Sequence, residues 1–183
     1  TFTISGTSSA AVNGTSTNIT TTDQTIPFGT LDVGTIYTGA QDVAVTTNAA
    51  NGFSVTVVQD QNLTSSAGAD IDLFIDGATT SVPTAWVAPS NVFNQENTYG
   101  HYGITSSDDT TSSSTAPGEW GTNLWAGNIS SPPEVLYHNA PSSGFGASMG
   151  QGWATVGYQI QIGTLQEAAT DYTNTMTYVA TPV

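Results

Sequence analysis

The sequence has no lysine and no arginine in 183 residues, while Asp and Glu together number 14, so its formal net charge is −14. Proteins that bind nucleic-acid phosphates or anionic membranes use Lys and Arg to displace counterions, and we therefore expect neither partner here. Ordinary salt bridges cannot form. A phosphorylated substrate would need backbone groups or a metal ion as its clamp, which disfavours that chemistry.

Cysteine is also absent, which excludes disulfide bridges, thiolate nucleophiles and thiolate metal ligands. No run of about 18 apolar residues occurs, so we expect no insertion into a membrane and no long hydrophobic helix of the kind on which type IV pili assemble. The first residue is Thr1, and the residues after it lack the pattern of a secretory signal. We therefore expect a mature chain, secreted after signal-peptide removal and located outside the cell or on its surface.

The residues that are abundant favour β-structure. Thr, Ser, Gly and Val are frequent, and charged residues make up only 8% of the chain, against about 25% in typical domains. Thr and Val are β-branched and fit a pleated, half-buried surface. Four Trp, seven Tyr and six Phe supply the core that a disordered chain lacks. The composition and the regular spacing of strands and turns predict an all-β protein, a jelly-roll-like β-sandwich with long decorated loops.

Residues 1–12 alternate in polarity, which predicts one extended N-terminal strand. Residues 13–25 follow as a Thr- and Asn-rich loop or flexible linker that begins with an Asn-Gly turn signal. We therefore divide the chain into residues 1–25, the strand and its linker, and residues 26–183, the sandwich, with a loop-rich insertion at about 81–152. The residues on the apolar face of the N-terminal strand are Phe2, Ile4, Gly6, Ala10 and Val12.

The body of the chain contains several further strand patterns. Residues 40–47 and 52–58 alternate and are joined by an Asn- and Gly-rich segment, which predicts a β-hairpin. Further strands are predicted at 71–75, near 99–104, at 153–162 and from 172 to the end of the chain.

Catalytic patterns are absent from the sequence, and we expect no enzyme. His101 and His138 lie in no metal or nucleophile motif, and a lone histidine is usually a structural hydrogen-bonding group. Glu96, Glu119 and Glu134 cannot be paired as the two carboxylates of a glycosidase and are interpreted as solvated loop acids.

One dense acidic cluster is a candidate for calcium, which takes six to eight oxygen ligands. The alternative is that two of its members are the wet face of a strand at 71–75, because they share strand parity. No other cofactor is expected. The cluster consists of Asp60, Asp70, Asp72 and Asp76.

Two features of the sequence bear on glycans: aromatic side chains that could stack on a bound sugar, and sequons at which a glycan could be attached. The aromatic side chains are typical either of a platform that stacks on sugar rings or of core and subunit-interface packing. These side chains are Trp86, Trp120, Trp125, Trp153, Tyr99, Tyr102 and Tyr137. Glycan acceptor patterns begin at Asn13, Asn18, Asn62 and Asn128.

Three stretches carry a resemblance to a known class. They are Phe-Gly-Thr-Leu at 28–31 with Gly-Thr at 34–35, the segment 43–57, and Tyr-Val-Ala-Thr-Pro at 178–182. They resemble secreted prokaryotic surface β-sandwich proteins and are similar to the non-covalent filament subunits of the TasA type and of archaeal bundling pili. The resemblance implies a jelly-roll-like sandwich whose N-terminal donor strand leaves its own subunit and completes the sheet of the next.

Two functional hypotheses follow. In the first, the chain is a structural subunit of an extracellular filament, a homopolymer built by N-terminal donor-strand exchange. Gly6 would then lie where the acceptor groove is tight. In the second, the chain is a secreted carbohydrate-binding or adhesive β-sandwich module. The alternative for residues 1–12 is that they form the first strand of their own sheet.

Overall fold

The computed structural model describes residues 1–49, 52–78, 82–110, 120–127, 134–138 and 151–182. Across these ranges the chain is nearly all-β, as its composition predicts, and its helical content consists of two short 3₁₀ helices at Glu96–Thr98 and Ser107–Thr110. None of that helical content has the length or hydrophobicity to cross a membrane.

The strands are, in chain order, β1 (Phe2–Gly6), β2 (Ala11–Val12), β3 (Thr15–Ser16), β4 (Tyr37–Thr46), β5 (Phe53–Gln59), β6 (Leu63–Thr64), β7 (Asp70–Leu73), β8 (Thr84–Ala85), β9 (Gly100–Ser106), β10 (Leu124–Trp125), β11 (Glu134–His138), β12 (Gln151–Ile162) and β13 (Met176–Pro182). The strands predicted at 71–75, near 99–104, at 153–162 and near the C-terminus correspond to β7, β9, β12 and β13 and are confirmed.

The larger sheet has six strands in the order β1-β4-β12-β9-β7-β6. Its centre is the antiparallel pair of β4 and β12, in register from Gln151 opposite Thr46 to Ile160 opposite Tyr37. The pairing of β7 with β9 is parallel. β1 therefore forms one edge of this sheet, and among the described strands it pairs with β4 alone.

A second sheet has three strands in the order β11-β5-β13. Residues from both sheets meet in one buried cluster. From the larger sheet the cluster takes Val43, Val45, Tyr102, Ile104, Val156 and Tyr158, and from the smaller sheet Phe53, Val55, Val57, Val135 and Leu136. This cluster is the core against which the N-terminal strand packs.

The predicted hairpin of residues 40–47 and 52–58 is wrong. The two segments are strands, β4 and β5, but they belong to different sheets. β4 has β1 and β12 as neighbours, and β5 has β11 and β13, so each strand already has a partner on both edges. The connection between them carries the chain from one sheet to the other, and their apolar faces contribute to the same core rather than to one ladder.

The prediction of one continuous strand over residues 1–12 is also wrong. β1 ends at Gly6, an irregular stretch follows at 7–10, and residues 11–12 pair with 15–16 as a separate small hairpin. The turn of that hairpin is Asn13-Gly14, as the sequence predicts, with φ of 46° and 82°. Positive φ at both positions is the geometry of a tight two-residue hairpin turn.

Candidate functional site

β1 pairs within the sheet of its own chain, where it lies along the C-terminal half of β4. Phe2 is opposite Val45, and Gly6 is opposite Gln41. The Thr46 amide donates to the Thr1 carbonyl at 2.8 Å. Hydrogen-bonded and non-hydrogen-bonded pairs alternate in an antiparallel ladder, so the backbone groups of Phe2 and Ile4 point away from β4 toward the open edge. β1 is thus an edge strand held by backbone bonds on one side.

Two side chains of β1 face the core. Phe2 and Ile4 are half-buried and pack against the central cluster, and the Phe2 ring lies 6.2 Å from the Tyr178 ring of β13, centroid to centroid. Tyr178 in turn contacts the hydroxyl of Tyr158. The N-terminal strand therefore closes the side of the core where the edges of both sheets meet.

The end of β1 is fixed by residues 21–22, which we call the strap. The Thr7 amide donates to Thr21 Oγ1, and the Thr21 amide donates to the Thr7 carbonyl, both at 2.9 Å. Thr21 Oγ1 also donates to the Ala40 carbonyl of β4, and Gln41 Nε2 donates to the Thr22 carbonyl at 2.7 Å. The strap thus joins β1 and β4 where their pairing ends.

Gly6 lies directly against the strap. A Cβ added at Gly6 would stand 2.3 Å from the Thr21 carbonyl oxygen and 2.4 Å from Thr22 Cα. Both atoms belong to the backbone, so rotating a side chain cannot relieve the overlap. Gly6 follows the alternation of Phe2 and Ile4, and the backbone of the strap fills the space that a third apolar side chain would occupy. The sequence suggested a tight place at Gly6 but gave no signal of what fills it.

The other two predicted donor-strand residues belong to a different part of the molecule. Val12 is fully buried, and its Cγ1 would lie 2.6 Å from a Cβ added at Gly157 of β12. Ala10 exchanges hydrogen bonds with Thr17 at 2.9 and 3.0 Å. Residues 8–9 are the exposed bend that separates β1 from this anchored segment.

The acidic candidates divide into smaller groups. Asn62 Nδ2 donates to Asp70 at 3.1 Å and to Asp72 at 3.0 Å. Burial and the neighbouring carboxylate of Asp70 raise the pKa of Asp72 to about 6. Asp60 instead accepts the Thr175 amide at 2.8 Å. Across the described ranges, no group of three or more acidic, His or Cys side chains has the arrangement to hold a metal ion.

The burial pattern of β7 alternates, as the wet-face interpretation of two of these acids expects, but both acids are half-buried rather than fully solvated. Asp70 and Asp72 are half-buried, while Ile71 and Leu73 between and after them are buried. Alternation along β7 therefore explains this part of the cluster without a ligand.

His101 is fully buried and structural in its contacts. Its Nε2 donates to the Val87 carbonyl at 3.0 Å, and its Nδ1 accepts the Asp76 amide at 3.2 Å. Burial lowers the pKa of His101, although Val87 and Asp76 oppose that shift. Nδ1 also lies 3.2 Å from Asp76 Oδ1, so the amide and the carboxylate of Asp76 make opposite demands on the proton of Nδ1. The side chain of His138 lies outside the described residues.

Most of the described Trp and Tyr candidates pack inside the protein. Trp125 and Tyr102 are each 1% exposed, and Trp86 stacks on Phe74 with ring centroids 4.5 Å apart. Trp153 differs, because it lies on β12 with 53% of its surface exposed. The Tyr137 side chain is outside the described part of the chain.

The three described sequons use their amide groups within the fold. Asn13 Nδ2 donates to Thr105 Oγ1 at 2.7 Å. Asn18 donates to the Ile36 carbonyl at 2.9 Å and accepts the Thr38 amide at 2.7 Å. Asn62 holds Asp70 and Asp72 together, as described above. The fourth candidate, Asn128, lies outside the described residues, as does Glu119.

Comparison with known proteins gives no relative: no family model, no curated protein and no solved structure matches the chain. A functional proposal must therefore come from the geometry of three parts: β1, the strap, and the groove that β1 occupies along residues 41–45 of β4.

Proposed function

We propose that this protein is a non-enzymatic structural subunit of an extracellular filament, secreted and polymerised by exchange of its N-terminal strand between copies. In this proposal the two main sheets are the layers of a jelly-roll-like β-sandwich, and the partner is a second copy of the same chain. The observation that carries the proposal is that β1 is an edge strand, attached to β4 by non-covalent contacts and followed by a short exposed bend.

Exchange would use residues 1–7 and not the longer segment up to residue 12. Phe2, Ile4 and Gly6 would move to the groove of the next copy, while Ala10 and Val12 stay with their own body, because Val12 is buried against β12. The hinge is then residues 8–9. Three Cα–Cα steps from Thr7 to Ala10 span at most about 10 Å. The groove that receives the strand must therefore lie close to the body that donates it, which implies closely packed subunits.

The energetics of exchange follow from the contacts of β1. Half-burial of Phe2 and Ile4 contributes about 1 kcal/mol each, and the backbone bonds to β4 contribute about 1 kcal/mol each. The same contacts form whether the strand sits in its own groove or in that of a neighbour. Exchange leaves this contribution unchanged, so the polymer is favoured only by new contacts between the bodies, as in other domain-swapped assemblies.

Charge opposes association, since each copy carries −14. The exchanging segment avoids this problem because the first carboxylate in the chain is Asp23. Repulsion between the bodies decays over a Debye length of about 8 Å at physiological ionic strength. The donor segment has no charged side chain, and the carboxylate of its groove, Asp42 opposite Ser5, accepts a hydrogen bond from Thr155.

The test is a cysteine pair in β1 and β4, Thr3→Cys with Ala44→Cys. These residues are direct register partners, with a Cα separation of about 5.5 Å that a disulfide can bridge. No native cysteine competes for either thiol. We expect filaments that assemble first and are oxidised afterwards to give a ladder of covalent multimers on a non-reducing gel. Monomers that are oxidised first should close internally and no longer assemble.

The matched control is Thr56→Cys with Val179→Cys, a register pair between β5 and β13, strands that do not exchange in this proposal. It should crosslink only within one chain, before and after assembly. Filaments of the β1–β4 pair that yield closed monomers alone would rule out strand exchange. Monodisperse particles that bind a glycan array would favour the carbohydrate-binding alternative instead.

A further inference from the structure

The strap at residues 21–22 gives the β1 groove a selectivity that the strand ladder alone lacks. A ladder of backbone hydrogen bonds accepts almost any extended segment. Here the backbone of Thr21 and Thr22 closes the groove at one position, where a Cβ would come within 2.4 Å of two backbone atoms. Only a strand with glycine at that position fits without moving the strap.

The strap also holds the residue after the glycine. The Thr7 amide donates to the Thr21 hydroxyl, the Thr21 amide donates to the Thr7 carbonyl, and the Thr7 hydroxyl donates to the Ala40 carbonyl at 3.0 Å. A strand that enters in another register would bring a side chain against the strap and would lose these bonds. The strap thus sets both the register and the end point of an incoming strand.

The strap itself is anchored to the body that owns the groove. Thr21 Oγ1 donates to the Ala40 carbonyl, and Gln41 donates to the Thr22 carbonyl at 2.7 Å. Ala40 is fully buried in β4, and Gln41 is 4% exposed. When β1 leaves, these bonds remain, so the empty groove keeps its restriction.

We propose that the strap makes this groove selective for a strand with glycine in the place of Gly6, followed by a residue that pairs with Thr21, so that the incoming strand is that of a second copy of this chain. The proposal rests on the proposed function, because it names what determines the partner in strand exchange. Gly6 and Thr7 are the determinants on the donor, and Thr21 and Thr22 those on the acceptor.

The test measures capture of peptides by the full-length chain carrying Ala44→Cys. Ala44 is half-buried and is the register partner of the exposed residue Thr3. The probe is an eight-residue peptide with the sequence of residues 1–8 and cysteine at its third position, which faces Ala44 in the register of β1. A second peptide also carries Gly6→Ala, and a matched control carries Ser5→Ala, since Ser5 is exposed. Mixed disulfide is quantified by mass spectrometry after incubation in a glutathione redox buffer.

We expect the glycine peptide and the Ser5→Ala peptide to be captured equally. The Gly6→Ala peptide should be captured at least about 25-fold less, because two hydrogen bonds, each worth about a factor of five, are lost and the strap must also lift. Equal capture of all three peptides would overturn the selectivity while leaving strand exchange intact. Capture no greater than that of a scrambled peptide in every case would overturn both the selectivity and the exchange itself.

Discussion

Replacing Asp72 by Asn should stabilise the protein at neutral pH and have no effect in acid. Asp72 lies on β7 beside Asp70, and burial together with that neighbour raises its pKa from the ordinary 3.8 to about 6. The folded chain therefore binds this proton more tightly than the unfolded chain does. The ionised carboxylate costs stability above about pH 6, and the cost disappears as the pH falls below 3.8.

The size of the effect follows from the shift and from the exposure of the site. A carboxyl pKa raised from 3.8 to about 6 corresponds to about 3 kcal/mol in a fully shielded site. Asp72 is only half-buried, so screening by solvent lowers the expected gain for Asp72→Asn to about 1 to 1.5 kcal/mol at pH 7.5. The Asn62 amide still finds an oxygen acceptor in the substituted side chain.

Urea denaturation at pH 4 and at pH 7.5 measures the difference between the two chains. Asp23→Asn is the matched control, because Asp23 is an exposed loop carboxylate, and its effect should stay within about 0.5 kcal/mol at both pH values. The low pKa of His101 makes the protein less stable as the pH falls, but that contribution is common to both chains and cancels. A gain in stability of equal size at both pH values, or a loss at pH 7.5, would refute the conclusion that the ionised Asp72 carboxylate destabilises the fold.

Two further expectations concern packing and modification. Gly157→Ala should destabilise the fold by about 1 to 3 kcal/mol in thermal or urea unfolding, because the new Cβ would meet Val12 at 2.6 Å; an unchanged midpoint would mean that Val12 does not seal β12. Asn13, Asn18 and Asn62 should carry no glycan in the folded protein, because each amide nitrogen already donates a hydrogen bond. Mass spectrometry checks this with a protease that cuts after acidic residues, since trypsin has no Lys or Arg to recognise, and glycosylated peptides at these positions would contradict the hydrogen-bond assignment.

Strand content was predictable because alternation is a local signal. The residues between Trp153 and Ile162 alternate clearly, and they form β12. The Asn13-Gly14 turn was predictable for the same reason, since both residues tolerate positive φ. The predicted hairpin at 40–58 failed because adjacency along the chain says nothing about which strand edges are already taken. β4 and β5 have other neighbours on both sides.

The candidate site was only partly predictable. Alternation identified Phe2 and Ile4 as one apolar face, and they do pack on the core. It also placed Val12 on that face, which is wrong because the chain bends at residues 8–9 and Val12 packs on Gly157 instead. The alternation of residue types continues through residues 8–9, but the backbone changes direction there, so residues before and after the bend no longer share a face.

By itself the sequence determined the β-rich content, the lack of any Lys or Arg side chain and the lack of charged side chains in the first 22 residues, since these depend on residue type and local order alone. The tertiary structure decided that β1 pairs with β4, that the strap of residues 21–22 fills the space beside Gly6, and that Asp72 shares its surroundings with Asp70 and Asn62. These features depend on contacts between residues far apart in the chain, such as Thr7 with Thr21 and Gly6 with Gln41. Such contacts are fixed only when the strands have paired and the core has formed.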